Sequence, residues 1–218
     1  MSNYLKIENL FKTFLQGGKK IEIFKNFNLE VNMGEFVSIT GPSGSGKTTL
    51  LQIIAMIDSF DHGSYNLLDK DVSKYNNVER SNIRLNNFGF IYQSFNLLED
   101  FNALENVALP LIIRGVDKSE SYKLARNMLK LFNLDHRERH YANELSGGEQ
   151  QRVAIARAVI SKPKIIIADE PTGNLDNENS IQVLDFLFKS LEEENITLIM
   201  ATHNEKIASK ATKRIHLV

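Results

Sequence analysis

The sequence contains no cysteine, and that absence removes several classes of protein at once. Without thiols there is no disulfide scaffold, no thiolate metal site and no cysteine nucleophile, and the composition suits a reducing cytosol. Long apolar runs are lacking too, since stretches such as 50–57 and 107–113 fall far short of the roughly 20 residues that span a bilayer. The first residues show neither the basic nor the apolar region of a signal peptide. We therefore expect no direct membrane insertion, and we expect any membrane role to come through a partner.

An excess of charge of one sign is also missing. Lysine and arginine number 26 against 27 aspartate and glutamate residues, so the net charge is −1. Such a balance provides no positive field for nucleic acid or for anionic lipid, and we expect no nucleic-acid partner. The length of 218 residues allows one sizeable α/β domain with a subdomain, but not two full domains.

A glycine-rich loop between an apolar strand at 36–40 and an apolar helix at 50–57 is the first motif with chemical meaning. Its spacing, G-x-x-x-x-G-K-[ST] between a strand and a helix, is that of a phosphate-binding loop, and these flanks disfavour a chance match. In such a loop backbone N–H groups face the phosphates of ATP, Lys47 places its charge at the β- and γ-phosphates, and the Thr48 hydroxyl is a hard ligand for Mg²⁺. The expected ATP-binding residues of the loop are Gly41, Pro42, Ser43, Gly44, Ser45, Gly46, Lys47, Thr48 and Thr49.

Two adjacent acids follow a second buried strand, at 164–168. A fully apolar strand is typical of a parallel sheet with both faces covered, and open α/β sheets place their sites at the carboxyl ends of such strands. Asp169 is suited to hold Mg²⁺ through water, and Glu170 to polarise an attacking water as general base. The alternative, that the two acids only cap the following turn, is weak in a chain that also carries a phosphate loop.

A second glycine-containing loop opens the helical run at 151–158 and consists of Leu145, Ser146, Gly147, Gly148, Glu149 and Gln150. Two glycines behind a serine leave N–H groups and a hydroxyl at a helix N-terminus, where the helix dipole favours an anion. Taken alone, this pattern is more typical of an ordinary helix-entry turn with a serine cap. Since one nucleotide does not need two such loops from one chain, we expect the second loop to serve ATP held by another copy, in a homodimer.

Those six residues reproduce the signature sequence of ABC-type ATPase domains, and the chain resembles that family over nearly its whole length. The resemblance implies an α/β fold with a RecA-like P-loop core, an N-terminal antiparallel β subdomain and an inserted α-helical subdomain. A single ABC ATPase domain would cover 1–218, with the core at 1–93 and 161–218 and the helical subdomain at 94–160. Alternation of apolar and polar residues independently predicts antiparallel strands at 4–8, 21–24 and 27–31.

The resemblance also implies roles for residues outside the two loops. Phe14 would stack on adenine, although an aromatic at a strand end is also a common core residue. Gln93 would touch Mg²⁺ and the attacking water, and the segment Gln93–Leu98 would form the docking groove for integral membrane transporter subunits. His203 would contact the γ-phosphate, next to Asn204 where relatives commonly carry aspartate. The residues of the loop that crosses to the partner protomer would be Asn174, Leu175 and Asp176.

Three local patterns lead to further expectations about packing. The turn-rich segment 58–71 predicts a hairpin in which Asp69 stands where relatives usually carry glycine. Basic side chains between 136 and 140 are interpreted as a solvated face. The helix after Asp176 is expected to bury one face, formed by Ile181, Leu184, Phe188 and Leu191.

A finer resemblance is to the group of lipoprotein-releasing ATPases, macrolide or peptide exporters and the cell-division ABC protein. It lies in the segments 89–93, 96–98, 103–107, 109–111 and 168–176, while 100–101 and 134–137 look most like the lipoprotein-releasing subunits. The end of the chain at Val218 favours a subunit separate from any membrane domain. The resemblance thus implies a motor on the cytoplasmic face of the bacterial inner membrane that powers lipoprotein release. A macrolide or peptide exporter subunit, or the cell-division complex, is the alternative.

Three rival functions are less well matched by the sequence. A soluble ABC protein that clamps nucleic acid usually carries two ATPase units and a basic charge, and this chain has neither. A scaffold that binds ATP without hydrolysis is disfavoured by Glu170 and His203. A P-loop kinase would explain Lys47 but would leave residues 145–150 without a role.

Overall fold

A long antiparallel hairpin begins the chain in the computed structural model, which describes residues 4–218. Strand β1 covers Leu5–Gln16 and β2 covers Lys19–Val31, and the turn between them uses two glycines with φ of 58° and 77°. The expectation of separate strands at 21–24 and 27–31 is wrong, because β2 is continuous. It passes through Asn26, whose φ of 53° puts an irregularity in the strand instead of a break.

A shorter hairpin completes the antiparallel sheet. Strand β4 covers His62–Leu67 and β5 covers Lys70–Asp71, and the strand order is β2-β1-β4-β5. The predicted hairpin within 58–71 is therefore confirmed. Its two-residue turn holds Leu68 at φ 52° and Asp69 at φ 61°, which is the left-handed geometry that glycine or asparagine adopts with least strain.

The described residues up to Arg84 form one unit together with Ile199–Val218. In addition to the antiparallel sheet, this unit contains parallel strands in the order β8-β3-β9. Strand β3 covers Phe36–Thr40, β8 covers Thr197–Ala201 and β9 covers Lys213–His216. Its helices are α1 at Lys47–Ile54, most of α2 at Asn77–Asn87, and the short α7 at Glu205–Ala208.

The second unit comprises Leu85–Leu198, so the boundaries between the units fall inside α2 and β8. Its parallel strands run in the order β6-β7-β8, with β6 at Phe88–Tyr92 and β7 at Ile165–Asp169. Its helices are α3 at Ala103–Ile113, α4 at Lys118–Leu131, α5 at Gly147–Val159 and α6 at Asn177–Glu194. Antiparallel and parallel strands together confirm the predicted α/β class. The predicted subdomain limits at 93/94 and 160/161 do not coincide with these units and stay a prediction.

Side-chain caps explain where the helices of the second unit begin. Asn102 accepts a hydrogen bond from the N–H of Glu105, and the Glu105 side chain accepts one from the N–H of Asn102, which is a capping box before α3. Asp117 caps α4 through the N–H groups of Ser119 and Glu120. Each cap satisfies N–H groups that have no partner inside the helix.

The buried face of α6 differs from the expected one. Val183, Leu184, Leu187 and Leu191 are buried, whereas Ile181 is 62% exposed. The spacing identified the helix correctly, and Leu184 and Leu191 of the expected face are buried, but Ile181 faces solvent and Val183 and Leu187 belong to the buried face instead. Among residues 4–218 no helix has both the length and the apolar character needed to cross a membrane.

The turn between β4 and β5 leads to a stability prediction. Asp69→Gly removes a side chain from a left-handed position, and we expect the unfolding free energy to rise by about 0.5 kcal/mol. For a chain of this size this corresponds to a midpoint about 1–2 °C higher in a thermal melt. Lys70→Gly, one residue further into β5, is the control and should lower the midpoint, since glycine weakens a strand. Equal behaviour of the two variants would contradict this account of the turn.

Candidate functional site

The phosphate loop of the first unit connects β3 to α1 with three glycines at positive φ. Gly41 has a φ of 146°, Gly44 of 84° and Gly46 of 95°, and Gly46 is the residue before the first turn of α1. The ammonium of Lys47, the first residue of α1, donates to the carbonyls of Gly41 at 2.9 Å and Pro42 at 2.8 Å. The lysine predicted to meet the phosphates therefore lies over the loop itself.

Close packing leaves no room for side chains at two of these glycines. A Cβ at Gly41 would collide with the carbonyl oxygen of Leu217, and one at Gly46 would lie 2.7 Å from Ile23 Cγ2. Beside them, Ser45 Oγ is buried and has no hydrogen-bond partner within the described residues. A loop held by glycines around an unsatisfied hydroxyl fits an anionic ligand such as a phosphate chain.

Phe14 lies on β1, opposite Ile21 of β2, and is 41% exposed. The alternative of a core aromatic is therefore wrong. His203 follows β8 and is exposed, and its neighbour Asn204 caps α7 by accepting from the N–H of Lys206 at 3.0 Å. The amide that replaces the common aspartate thus binds backbone at a helix N-terminus.

The predicted acids of the second unit lie where β7 ends. Tyr92 of β6 and Asp169 of β7 are register partners, so Gln93 and Glu170 follow neighbouring strand ends. Glu170 has a φ of 47°, and its carbonyl accepts from the N–H of Gly173 at 3.0 Å. A non-glycine, non-asparagine residue in the left-handed region costs about 1–3 kcal/mol, and such positions mark turns and also cluster at active sites.

Gln93 and Asn174, predicted for two different roles, contact each other directly. Gln93 Nε2 donates to Asn174 Oδ1 at 3.2 Å, and Asn174 Nδ2 donates to the Gln93 carbonyl at 3.0 Å. A Cβ at Gly173 would lie 2.7 Å from Gln93 Nε2, so this glycine admits the glutamine side chain. Because the amide nitrogen is directed at Asn174, the Gln93 atom suited to a metal ion is Oε1.

The signature loop forms a complete capping box at the start of α5. The N–H of Glu149 donates to Ser146 Oγ at 3.3 Å, and the N–H of Ser146 donates to Glu149 Oε2 at 2.8 Å. Gly147 and Gly148 occupy the first turn, and a Cβ at Gly147 would make only ordinary contacts with Leu175 and Phe95, at 3.7 and 3.8 Å. The loop is thus a well-formed helix N-terminus.

Arg137 neutralises the acid in this loop. Its Nε donates to Glu149 Oε1 at 2.9 Å, and its Nη1 lies 3.1 Å from His140 Nε2. Desolvation raises the pKa of Glu149, but the hydrogen bonds from Ser146 and the contact with Arg137 outweigh it, so the pKa is lowered. The interpretation of 136–140 as a solvated face is therefore wrong for Arg137.

Two further side chains of α5, which the sequence did not single out, tie the helix to neighbouring loops. Gln151, fully buried, donates to the carbonyl of Pro171 at 2.6 Å. Arg157 donates to the carbonyls of Phe95 at 2.9 Å and Asn96 at 2.7 Å, and burial lowers the pKa of its guanidinium. The sequence feature that could have identified these two residues is a polar side chain on the buried face of the helix, where apolar residues are usual.

The backbone of the segment Gln93–Leu98 is hydrogen-bonded to side chains of α3 and α5, while some of its own side chains stay exposed. Phe95 and Asn96 have φ of 61° and 49°, and their carbonyls face Arg157. Asn106 of α3 binds both the N–H and the carbonyl of Leu98, at 2.9 and 3.0 Å, while the Leu98 side chain stays 43% exposed. This geometry presents apolar surface on a rigid loop.

The chemistry of the predicted donors fits a hard cation. Thr48 offers a hydroxyl, Gln93 an amide oxygen and Asp169 a carboxylate, and oxygen ligands of this kind are those that Mg²⁺ prefers. Thr48 belongs to the first unit and the other two to the second. Each unit by itself therefore carries part of a set of groups suited to binding a nucleotide.

Comparison with known proteins gives a consistent result. The family model described as ABC transporter matches residues 24–173. The lipoprotein-releasing system ATP-binding protein LolD of Rickettsia bellii is 44% identical, over 98% of this chain and 95% of that protein. The macrolide export ATP-binding/permease protein MacB of Bdellovibrio bacteriovorus is 42% identical over 98% of this chain, which spans 32% of that protein.

A solved structure shows the same fold. The ATP-binding cassette MJ0796, in a dimeric post-hydrolysis state bound to ADP and Pi, superposes with a TM-score of 0.90 at 40% identity, over 98% of this chain and 94% of that one. The antiparallel sheet and the parallel α/β strands described above are therefore those of a nucleotide-binding cassette.

Arg157 generates a prediction about the segment Gln93–Leu98. Arg157→Lys cannot reach all its acceptors, the carbonyls of Phe95 and Asn96 and the side chain of Asn106, so we expect a loss of about 2 kcal/mol of unfolding free energy. Urea titration of the purified chain measures this loss. The matched control is Arg126→Lys, at a 54% exposed arginine paired with Glu138, which should cost less than about 0.5 kcal/mol. Equal losses would show that Arg157 does not hold the segment.

Proposed function

The chain belongs to the ABC transporter family as an ATP-hydrolysing subunit, and we propose that two copies of it power the release of lipoproteins from the bacterial inner membrane. The match to LolD over nearly the whole of both chains is the single observation that supports this cargo most directly. MacB is similar at nearly the same identity, but over only 32% of its length. A macrolide or peptide exporter, or the cell-division ABC complex, is the second candidate.

We assign the hydrolytic site by residue, following the family resemblance. The phosphates lie on Gly41–Thr49 with Lys47 at the β- and γ-phosphates, and adenine stacks on Phe14. Glu170 polarises and orients the attacking water, Gln93 contacts that water, and His203 contacts the γ-phosphate. The left-handed Glu170 and the clamped Gln93 side chain support the assignment of these two residues.

Thr48, Gln93 and Asp169 are the proposed ligands of Mg²⁺. When bound, the ion neutralises the negative charge that develops on the phosphates during phosphoryl transfer. Phosphoryl transfer needs little covalent chemistry from the protein, and we expect positioning and charge stabilisation to provide the rate.

Hydrolysis depends on a second copy in this proposal. The signature residues Leu145–Gln150 of one chain meet the γ-phosphate on the other, and Asn174-Leu175-Asp176 crosses between the two. The dimeric state of MJ0796 bound to ADP and Pi supports this arrangement. Because half of each site comes from the partner, closure of the dimer gates the reaction.

The membrane subunits dock on Gln93–Leu98 in this proposal, and the motor lies peripherally on the cytoplasmic face of the inner membrane. The exposed Leu98 side chain on a loop fixed by Asn106 supports a preformed docking surface. Since Gln93 is both the first residue of this segment and a proposed site residue, docking and hydrolysis share one stretch of backbone.

Replacing the proposed general base gives the sharpest test of the hydrolytic site. Glu170→Gln keeps the size of the side chain but removes its basicity, so we expect ATP turnover to fall at least about 100-fold. Bound ATP should then trap a closed dimer, seen as a doubled mass by light scattering with Mg-ATP but not with Mg-ADP.

The control for that variant is Glu120→Gln, at an exposed position in the first turn of α4. It should turn over ATP like the parent chain and form no stable dimer. Rapid turnover by Glu170→Gln would remove Glu170 from the role of base while leaving the family assignment intact.

The cargo is tested by capture from membranes. Glu170→Gln, expressed in the native host and purified with Mg-ATP from detergent-solubilised membranes, should bring down integral membrane subunits together with bound lipoprotein, identified by mass spectrometry. Recovery of a division-site protein or of a lone exporter subunit would contradict lipoprotein release. An isolated ATPase dimer without membrane protein would contradict the docking proposal as well.

A further inference from the structure

Lys12 of β1 is a buried lysine with three contacts inside the first unit. The residue is 6% exposed, although lysine is rarely buried without a partner. Its Nζ lies 2.7 Å from Asp58 Oδ2 and 2.7 Å from the carbonyl oxygen of Ser59. Both partners follow α1, the helix that begins at Lys47 of the phosphate loop. The ammonium is therefore fixed in position relative to that loop.

The third contact of Lys12 is the ring of Phe14. Nζ lies 4.7 Å from the ring centroid, within the range of a cation–π interaction. The ammonium covers one face of the ring, yet Phe14 remains 41% exposed beside its cross-strand neighbour Ile21, which is 40% exposed. The ring is therefore contacted by the ammonium while a large part of the residue stays accessible.

Thr13, the residue between Lys12 and Phe14, is also held in place. The N–H and the hydroxyl of Thr13 both donate to Asp61 Oδ2, at 2.7 and 2.8 Å. These bonds, chiefly that from the Thr13 hydroxyl, lower the pKa of Asp61, so the carboxylate is charged and a strong acceptor. Residues 12 and 13 are thus tied to 58–61, and the backbone that carries Phe14 has little freedom.

We infer that Lys12 is a positioning residue for the nucleobase, which holds Phe14 as a polarised platform at a set distance from the phosphate loop. A cation on one face of an aromatic ring draws electron density towards itself, so the other face stacks better on an electron-rich purine. This inference rests on the proposed stacking of adenine on Phe14. It adds a determinant of base recognition that makes no contact with the nucleotide.

The test compares a ligand that has a base with one that has none. ADP and inorganic pyrophosphate, each with Mg²⁺, are titrated calorimetrically into the purified chain, so that hydrolysis plays no part. Lys12→Met should weaken ADP binding about three- to tenfold and leave pyrophosphate within about twofold of the parent. Lys12→Arg keeps a cation and should retain most of the preference for ADP. Lys25→Met, on the same hairpin with 67% of its side chain exposed, is the matched control and should change neither affinity.

Phe14→Ala separates this inference from the function on which it rests. It should remove most of the preference for ADP, and adding Lys12→Met to it should have no further effect. If Phe14→Ala leaves the preference unchanged, the adenine site fails and the inference fails with it. If Phe14→Ala removes the preference but Lys12→Met does not reduce it, only the role of Lys12 is overturned.

An equal loss of both ligands in Lys12→Met would also overturn the inference, because it would show general damage to the unit. Thermal melts establish that each variant is folded. If Lys12→Met does not fold, Asp58→Asn serves instead, since it keeps the cation and loosens its attachment. It should lower the preference for ADP by a smaller factor, and an unchanged preference in that variant would contradict the inference.

Discussion

Helix α5 constrains the second unit, because its side chains bind the backbone of two loops far from it in sequence. Gln151 holds the carbonyl of Pro171, directly after Glu170, and Arg157 holds the carbonyls of Phe95 and Asn96. Leaving a buried carbonyl or guanidinium unpaired costs about 1–3 kcal/mol, so neither loop departs from the helix cheaply. The N-terminus of the same helix carries the signature loop. The signature loop, the turn after β7 and the segment Gln93–Leu98 are therefore all attached to this one helix.

The first unit depends on a different constraint, which is the space around the phosphate loop. Gly41 and Gly46 combine positive φ with neighbours that exclude a Cβ, namely the Leu217 carbonyl and Ile23. Leu217 follows β9 and Ile23 lies in β2, so the loop is enclosed by segments from both ends of the chain. Close approach of backbone to backbone lets a loop surround an anion with N–H groups.

Local pattern was sufficient to predict much of this structure. The strands at Phe36–Thr40 and, within one residue, Ile165–Asp169, and the start of α5 after Ser146, followed from apolar runs and turn chemistry. The break expected within β2 was wrong because an asparagine in the left-handed region permits a bulge without ending the strand.

Side-chain contacts between segments that are distant in sequence could not be predicted from the sequence. Lys12 meets Asp58 across 46 residues of chain, and Arg157 meets Phe95 across 62, and no periodicity marks either pair. The predicted Gln93 and Asn174 were both placed in the site by resemblance, but only the structure shows them bonded to each other. Propensity and spacing describe neighbours along an element, whereas these contacts are set by how the elements pack.

The charge of the signature loop illustrates how packing changes the meaning of a motif. An anion is favoured at a helix N-terminus, yet this loop carries Glu149 in the first turn, and a carboxylate there repels a phosphate. Arg137 lies against that carboxylate at 2.9 Å, so the pair is close to neutral, while the helix dipole remains. Ser146 Oγ accepts from the Glu149 N–H, which leaves its own O–H as a donor. Although its sequence contains an acid, the loop therefore presents hydrogen-bond donors and the positive end of the helix dipole. The neutralisation of Glu149 depends on Arg137, a residue outside the motif.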